Sequence, residues 1–287
     1  MVFSGLLTSA GITQSFYTNF FNKNRGIEEK NYVAPSYFRG YEDIPHDIFG
    51  DLCLLRKGSH NMTMGAGTTS IETINSRDEW KVKANSLRAL FKMTLGTPPQ
   101  GINFDLSVRV ENEIDHGSIL ERRVSYLLSP GERVSSLMLI PKNITSPCPA
   151  LLTIHPTTKE GKEQTVGRGE KEKGKLTSKA YNRAYGLHLA QKGYITFSPD
   201  LLGAGERIFP GKRAFDNQPF IDANPEWSGL GKDLWDLQRA IDVMQTFTEI
   251  DSCRLGSIGH SQGAGLTCAL TAIDERIKLG VANCGVW

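Results

Sequence analysis

Apolar and polar positions along the chain change rhythm three times. Ser76-Arg77-Asp78-Glu79 forms a capping box, and Trp80, Ala84, Leu87, Phe91 and Leu95 follow at alternating spacings of four and three. That spacing predicts one helical face, ended by Gly96 with Pro98-Pro99 beyond it. Phe104–Val110 then alternates in steps of two. Leu120–Leu128 and Arg133–Ile140 are apolar and β-branched, with the turn Ser129-Pro130-Gly131-Glu132 between them. Strands joined by short turns predict antiparallel pairs at the start of a sheet.

After Pro147 and Pro149 the pattern becomes an alternation of strands and helices. Ala150–Ile154 is a continuous apolar run, as a strand buried on both faces requires. A helix is predicted at about Ser178–Lys192, a strand at Tyr194–Ser198 and a helix at Lys232–Phe247. A strand at Arg254–Ile258, a helix at Gln262–Ile273 and a strand at Leu279–Cys284 complete the series. Such βαβ units dictate a mostly parallel sheet with helices on both faces. The expected organisation is an irregular extension over residues 1–76, followed by one α/β domain over residues 77–287.

Composition narrows the functional classes. The chain has 287 residues, 39% of them hydrophobic and 22% charged, which suits a globular fold rather than a disordered one. A net charge of +2 gives no electrostatic basis for binding nucleic acid or an anionic membrane. No apolar run reaches the roughly 18–20 residues of a membrane span. Five cysteines without a CxxC predict reduced thiols rather than zinc or a disulfide framework. Met1–Gln14 is mildly apolar but lacks the positive start of a secretory signal, so a cytoplasmic location is expected, with secretion as the alternative. Neither substrate nor oligomeric state is legible.

The sharpest chemical signal is Gly259-His260-Ser261-Gln262-Gly263, a G-x-S-x-G between a predicted strand and a predicted helix. In that context the serine sits on a tight strand-to-helix turn, and its neighbours two residues away must lack bulk. Ser261 is the candidate nucleophile; the alternative is an ordinary glycine-rich packing turn. Its amide neighbour Gln262 is one candidate oxyanion donor. The second should come from the loop after Ala150–Ile154, His155-Pro156-Thr157-Thr158. Proline has no amide hydrogen, which leaves Thr157. His155 and His260 read as structural rather than basic. In the loop Pro199–Arg207, Asp200 reads as a brace, while Glu206 and Arg207 either pair locally or line a pocket. The lysine- and glutamate-rich stretch Lys159–Lys179 reads as a solvated loop. Its phosphate-loop mimic, Gly169–Leu176, has leucine where magnesium binding needs Ser or Thr. No cofactor and no metal site is expected.

The segments ALLTIHPTTKEGKE, LAQKGYITFSPDLLGAGER and IDVMQTFTEIDSCRLGSIGHSQG together resemble the α/β-hydrolase superfamily. Within it the likeness is to dienelactone-hydrolase-like and acetyl-xylan-esterase-like enzymes, from about Asp78 to Trp287. The resemblance implies serine-dependent hydrolysis of a small carboxylic ester, with Ser261 as nucleophile and the Gln262 and Thr157 amides as oxyanion donors. It also implies an acid and then a histidine after the serine. All six histidines precede or adjoin Ser261, and the later acids are Asp274 and Glu275, expected at an exposed helix end. The expectation is therefore a chain truncated before its triad is complete, inactive as it stands. The alternatives are a catalytically dead binding or scaffolding module, an unorthodox upstream base such as His155, or a fragment of a prolyl-oligopeptidase-like peptidase.

Overall fold

The computed structural model describes residues 74–98, 105–144, 147–168 and 183–284. The expected extension over residues 1–76 therefore lies, but for its last three residues, outside the described part. So does the phosphate-loop mimic at 169–176.

Among the described residues seven strands form one sheet, and their residues explain their places. They are β1 (Arg109–Asp115), β2 (Ile119–Ser129), β3 (Glu132–Pro141), β4 (Cys148–Ile154), β5 (Ile195–Pro199), β6 (Ile250–His260) and β7 (Ile277–Asn283). Their order is β1-β2-β3-β5-β4-β6-β7. β1, β2, β3 and β5 pair antiparallel, whereas β5, β4, β6 and β7 pair parallel. The sheet is thus mixed, parallel where the βαβ rhythm runs and antiparallel where short turns join the strands. β4 and β5 are apolar and buried because neighbours cover both faces, while charged β1 is exposed along its length at the edge.

Two cores sit on opposite faces. Met138 and Ile140 of β3 point toward one, with Leu152, Ile154 and Phe197. Leu137 and Leu139, one residue out of phase, point toward the other. On the first face lie the helices α5 (Gly229–Met244) and α6 (Gln262–Ile273), which contribute Leu234, Leu237, Ile241, Leu266 and Leu270. On the second lie α2 (Lys162–Thr165), flanked by Val166, and α3 (Tyr185–Gln191), which contributes Leu187 and Ala190. Each fully buried leucine contributes roughly 1.5–3 kcal/mol.

The amino-terminal helix α1 (Arg77–Thr94) begins and ends as its sequence predicts. The Glu79 amide donates to Ser76 Oγ at 3.1 Å. Glu79 Oε2 accepts from the Asn75 amide at 2.7 Å, one residue earlier than a capping box requires. Gly96 adopts φ 79°, and a Cβ there would meet Glu226 O at 2.3 Å. Of the predicted face, Ala84 and Leu95 are buried and Trp80 is exposed.

Several boundaries differ from expectation. The strand expected at Phe104–Val110 starts only at Arg109, because Ser107 takes φ 48° and breaks the extended run. Phe104 itself lies outside the described residues. Leu106 and Val108 still pack on the core, and the Leu127 amide donates to Leu106 O at 2.7 Å. The helix expected at Ser178–Lys192 begins at Tyr185 among the described residues. The helix expected at Lys232–Phe247 runs from Gly229 to Met244, since Ser228 caps it by accepting from the Gly231 amide at 3.0 Å. A further helix, α4 (Gln218–Ala223), was not anticipated. Among the described residues no helix is long and apolar enough to cross a membrane.

Candidate functional site

The sheet order places β4 between β5 and β6, so successive connections leave β4 in opposite directions. The carboxyl end of β4 is therefore the crevice where open α/β sheets hold ligands. Thr157 follows β4, Asp200 follows β5 and Ser261 follows β6, all at this one edge.

Ser261 is the residue between β6 and α6, with φ 54° and ψ −117°. A positive φ at a residue with a Cβ is costly, and this one is held from three sides. The Ser261 amide donates to Asn283 O of β7 at 3.0 Å, and Ser261 O accepts from the Ala264 and Gly265 amides. A Cβ at Gly259 would lie 2.0 Å from Gly263 O, so the strand and helix touch backbone to backbone around the turn. The serine is exposed at the head of α6, where the Gln262 and Gly263 amides have no partner within the helix. The helix dipole there favours developing negative charge.

Gln262 and Thr157 come together through their side chains. Thr157 Oγ1 donates to Gln262 Oε1 at 3.0 Å, bridging the loop after β4 to the first residue of α6.

His155 is fully buried and both its ring nitrogens are used. The Leu201 amide donates to Nε2 at 3.0 Å, which puts the proton on Nδ1, 2.7 Å from Pro156 O. Burial pushes this imidazole below its ordinary pKa, against the pull of Asp200. It holds two loops and has no nitrogen left to serve as a base. His116 lies on the β1–β2 hairpin at the opposite sheet edge, 3.1 Å from Glu121. His188 sits near the end of α3 that leads into the amino end of β5. His260 ends β6, and its Nδ1 is buried without a partner. Among the described residues, His260 is thus the imidazole beside Ser261, and no hydrogen bond joins its ring to the serine.

Asp200 braces the site. Its Oδ1 accepts from the Lys162 amide at 2.7 Å; its Oδ2 accepts from Lys162 Nζ at 2.5 Å and from the Glu206 amide at 3.0 Å. Gly161 and Gly205 press against the same carboxylate, where a Cβ would lie 2.0 Å and 2.3 Å from Oδ1. The Gly205 amide also donates to Lys159 O at 3.1 Å. This corrects the reading of Lys159–Lys179 as a solvated loop. Lys162, Gln164 and Thr165 are buried, because Asp200 supplies the counter-charge that lets a lysine leave water. Residues 169–179 of that stretch lie outside the described part.

Glu206 and Arg207 do not pair with each other. Partial burial works against the Glu206 carboxylate, but the Arg123 guanidinium and the Lys162 ammonium bring it down to about 2. Arg207 bonds to Glu132 at 2.9 Å and to Asp236 at 2.7 Å. Both also line a cavity of about 380 Å³ with Arg123, Arg133 and Asp200, a cavity that neither Ser261 nor Thr157 reaches. Behind it, Asp233 Oδ1 accepts from the Leu202 amide at 2.9 Å, and burial pushes its carboxyl up to about 7.

The expected exposed acids after Ser261 part company. Glu275 is exposed, but Asp274 is buried at the end of α6, bound by Arg276 and Gln238. It braces that helix end and lies far from the elbow. Lys162 and Asp233 were missed because their partners are 38 and 31 residues away in sequence, beyond any local pattern.

Known proteins are similar to this chain in sequence and in fold. A Bacillus subtilis (strain 168) protein, YtaP, which bears the name of a hydrolase, is 27% identical over 157 residues, covering 55% of this chain and 50% of its own. A Bacteroides fragilis NCTC 9343 protein assigned as an acetyl xylan esterase superposes with a TM-score of 0.56 at 21% identity, over 70% of this chain and 52% of its own. A glucuronoyl esterase from Solibacter usitatus gives 0.53 at 17% identity, over 76% and 62%. These likenesses in structure show the fold. The chain spans about half the length of the curated relative it matches. Residues 72–283, from the start of α1 to the end of β7 and with the elbow and the Thr157 loop inside them, match the Abhydrolase family. On that match and on a sheet whose switch point lies between Thr157 and Ser261, the chain belongs to the Abhydrolase family and has the α/β-hydrolase fold.

Proposed function

We propose that the chain carries the nucleophile and oxyanion donors of a serine carboxylic-ester hydrolase acting on small acetyl-ester or lactone substrates. Ser261 Oγ attacks the ester carbonyl carbon, and its proton passes to a base. The tetrahedral oxyanion is held by the Gln262 and Thr157 amides. Collapse expels the alcohol, which takes the proton, and water then hydrolyses the acyl-serine by the same steps in reverse. The observation that carries this reading is the strained, exposed Ser261 at the head of α6 beside the Thr157 loop. An ordinary packing turn has no use for such strain.

A base is required, since a serine hydroxyl is a weak nucleophile without one. His116, His155 and His188 are engaged or remote and the His260 ring makes no hydrogen bond to Ser261, so this reading takes the base and its orienting acid from outside the described residues. The esterase names borne by structural neighbours agree with the substrate class.

A fluorophosphonate probe tests the reading on the chain of residues 1–287. Adduct mapped to Ser261, and absent from Ser261→Ala, is the expected result. An adduct elsewhere, or none at all, leaves the second reading, a binding module on a hydrolase fold; the engaged state of His155 is what favours it. Hydrolysis of p-nitrophenyl acetate by this chain should be slight. Brisk turnover abolished by Ser261→Ala would instead locate the base within the 287 residues, where His46 and His60 lie outside the described part.

A further inference from the structure

The parallel ladder between β4 and β6 ends at the pair Ile154–Gly259. Beyond it the strands part. His155 turns to Leu201 and Pro156, and the Ser261 amide crosses to Asn283 on the other side. At the point of parting stands Tyr185, the first residue of α3. Its hydroxyl donates to Ile154 O, at the end of β4 and of its ladder with β6. Gly263 of α6 packs against the same carbonyl, where a Cβ would lie 2.1 Å away.

Helix α3 is a firm mount for that hydroxyl. It packs Leu187 and Ala190 on the second core, and Gly186, next to Tyr185, lies close against Thr165, Ser198 and Thr153. Burial pushes the phenol well above its ordinary pKa, so it remains a protonated donor through neutral and alkaline conditions.

We infer that Tyr185 is a positioning residue: its hydroxyl anchors the end of β4 at Ile154, on whose carbonyl the first turn of α6 packs, and thereby sets the spacing between Ser261 and the Thr157 amide. This rests on the reading of Ser261 as nucleophile and adds a group that none of the motifs contains. Tyr185 does not touch the reacting atoms. It acts through the end of β4 and the head of α6 that packs on it, much as a support for an oxyanion site must, because donors help only when fixed where charge develops.

The test is Tyr185→Phe in the chain of residues 1–287, which removes one oxygen and keeps the ring. Two readouts are taken. Amide hydrogen exchange should quicken in segments 157–158 and 260–264 while β2, at residues 124–128, exchanges as in the wild type. Fluorophosphonate labelling should show a maximal rate lowered about tenfold with unchanged half-saturation, as a misplaced donor affects the transition state rather than probe binding. Unchanged exchange in both segments overturns the inference. So does quickening shared by β2, which marks general loosening rather than positioning. If wild type itself is not labelled at Ser261, the nucleophile reading falls, and exchange alone decides whether Tyr185 sets the spacing of the β4 end and the α6 head.

Discussion

Gly263 packs so closely on Ile154 that a Cβ at the glycine would lie 2.1 Å from the Ile154 carbonyl oxygen. Helix α6 can begin directly over the end of β4 only because this position has no side chain. Neither partner can yield cheaply, as both contacts are backbone. Gly263→Ala is therefore expected to destabilise by about 3 kcal/mol or more, the upper range for forcing a methyl into a packed site. Gly229→Ala is the comparison, since open space surrounds that first residue of α5. There the change should fall between neutral and about 1 kcal/mol stabilising. Thermal unfolding of both variants measures the contrast. Equal melting temperatures would mean that the elbow is not held by this contact.

The buried pair Lys162–Asp200 makes the second prediction. Both side chains are 1% exposed and 2.5 Å apart. Lys162→Met leaves the carboxylate in the interior with two amides but no counter-charge, which should cost about 3–5 kcal/mol. Adding Asp200→Asn removes the stranded charge while keeping an acceptor for the Lys162 amide, and most of the loss should return. Urea unfolding of the single and double variants supplies the cycle. A single-variant cost below about 1 kcal/mol would show that the loop after β4 is held by something else.

Asp233 gives stability a pH dependence of known sign. Burial raises its carboxyl from 3.8 to about 7, with Arg207, Asp236 and Lys232 as its charged neighbours. A group whose folded value is raised contributes stability fully present below pH 3.8, and that contribution is lost as pH rises through 7. Across that window the loss from this one group is at most ~4 kcal/mol. Asp233→Asn keeps an acceptor for the Leu202 amide and cannot ionise. Its stability relative to wild type should therefore improve by about 2–3 kcal/mol between pH 5 and pH 8. Parallel urea curves for the two proteins at these pH values would contradict the assignment. His155 acts with the opposite sign, since a lowered imidazole is stabilising above pH 6.5 and loses that contribution as pH falls below it. Asp233→Asn leaves that acid limb in place, which separates the two groups.

What could be read from the sequence was whatever local chemistry decides. Ser76 and Gly96 delimit α1 because caps act within four residues, and Gln262–Ile273 was placed to the residue because the elbow glycines fix where α6 begins. Chain order brings the loop after β4 and the head of α6 to one end of the sheet, but the side-chain bond from Thr157 to Gln262 had no signal in the sequence. Lys162 was hidden because its surroundings in sequence are those of a solvated segment, and only the fold delivers Asp200 to it. Phe104–Val110 misled because alternation continues through Val110, Asn112 and Ile114, so periodicity could not choose the window. The turn at Ser107 did, and nothing in a serine announces a positive φ. Tyr185 left no trace at all, because its partner, the Ile154 carbonyl, lies 31 residues away at the end of β4.

The backbone at Ser261 stores strain that glycine would release. With φ 54° and ψ −117°, the serine occupies a region suited to glycine, at a cost of order 1–3 kcal/mol. Ser261→Gly removes the Cβ and should raise stability, less the roughly 0.5–1 kcal/mol that glycine loses through its freer unfolded state. A net gain of about 1 kcal/mol over Ser261→Ala is expected, although both variants lose the hydroxyl and all fluorophosphonate labelling. Comparing the glycine and alanine variants isolates the backbone, because neither can react and neither makes a side-chain hydrogen bond. A turn that becomes more stable when its serine is replaced is under selection for something other than folding. Should glycine prove no more stable than alanine, the turn is relaxed for any residue, and the argument from strain to a reactive hydroxyl loses its footing.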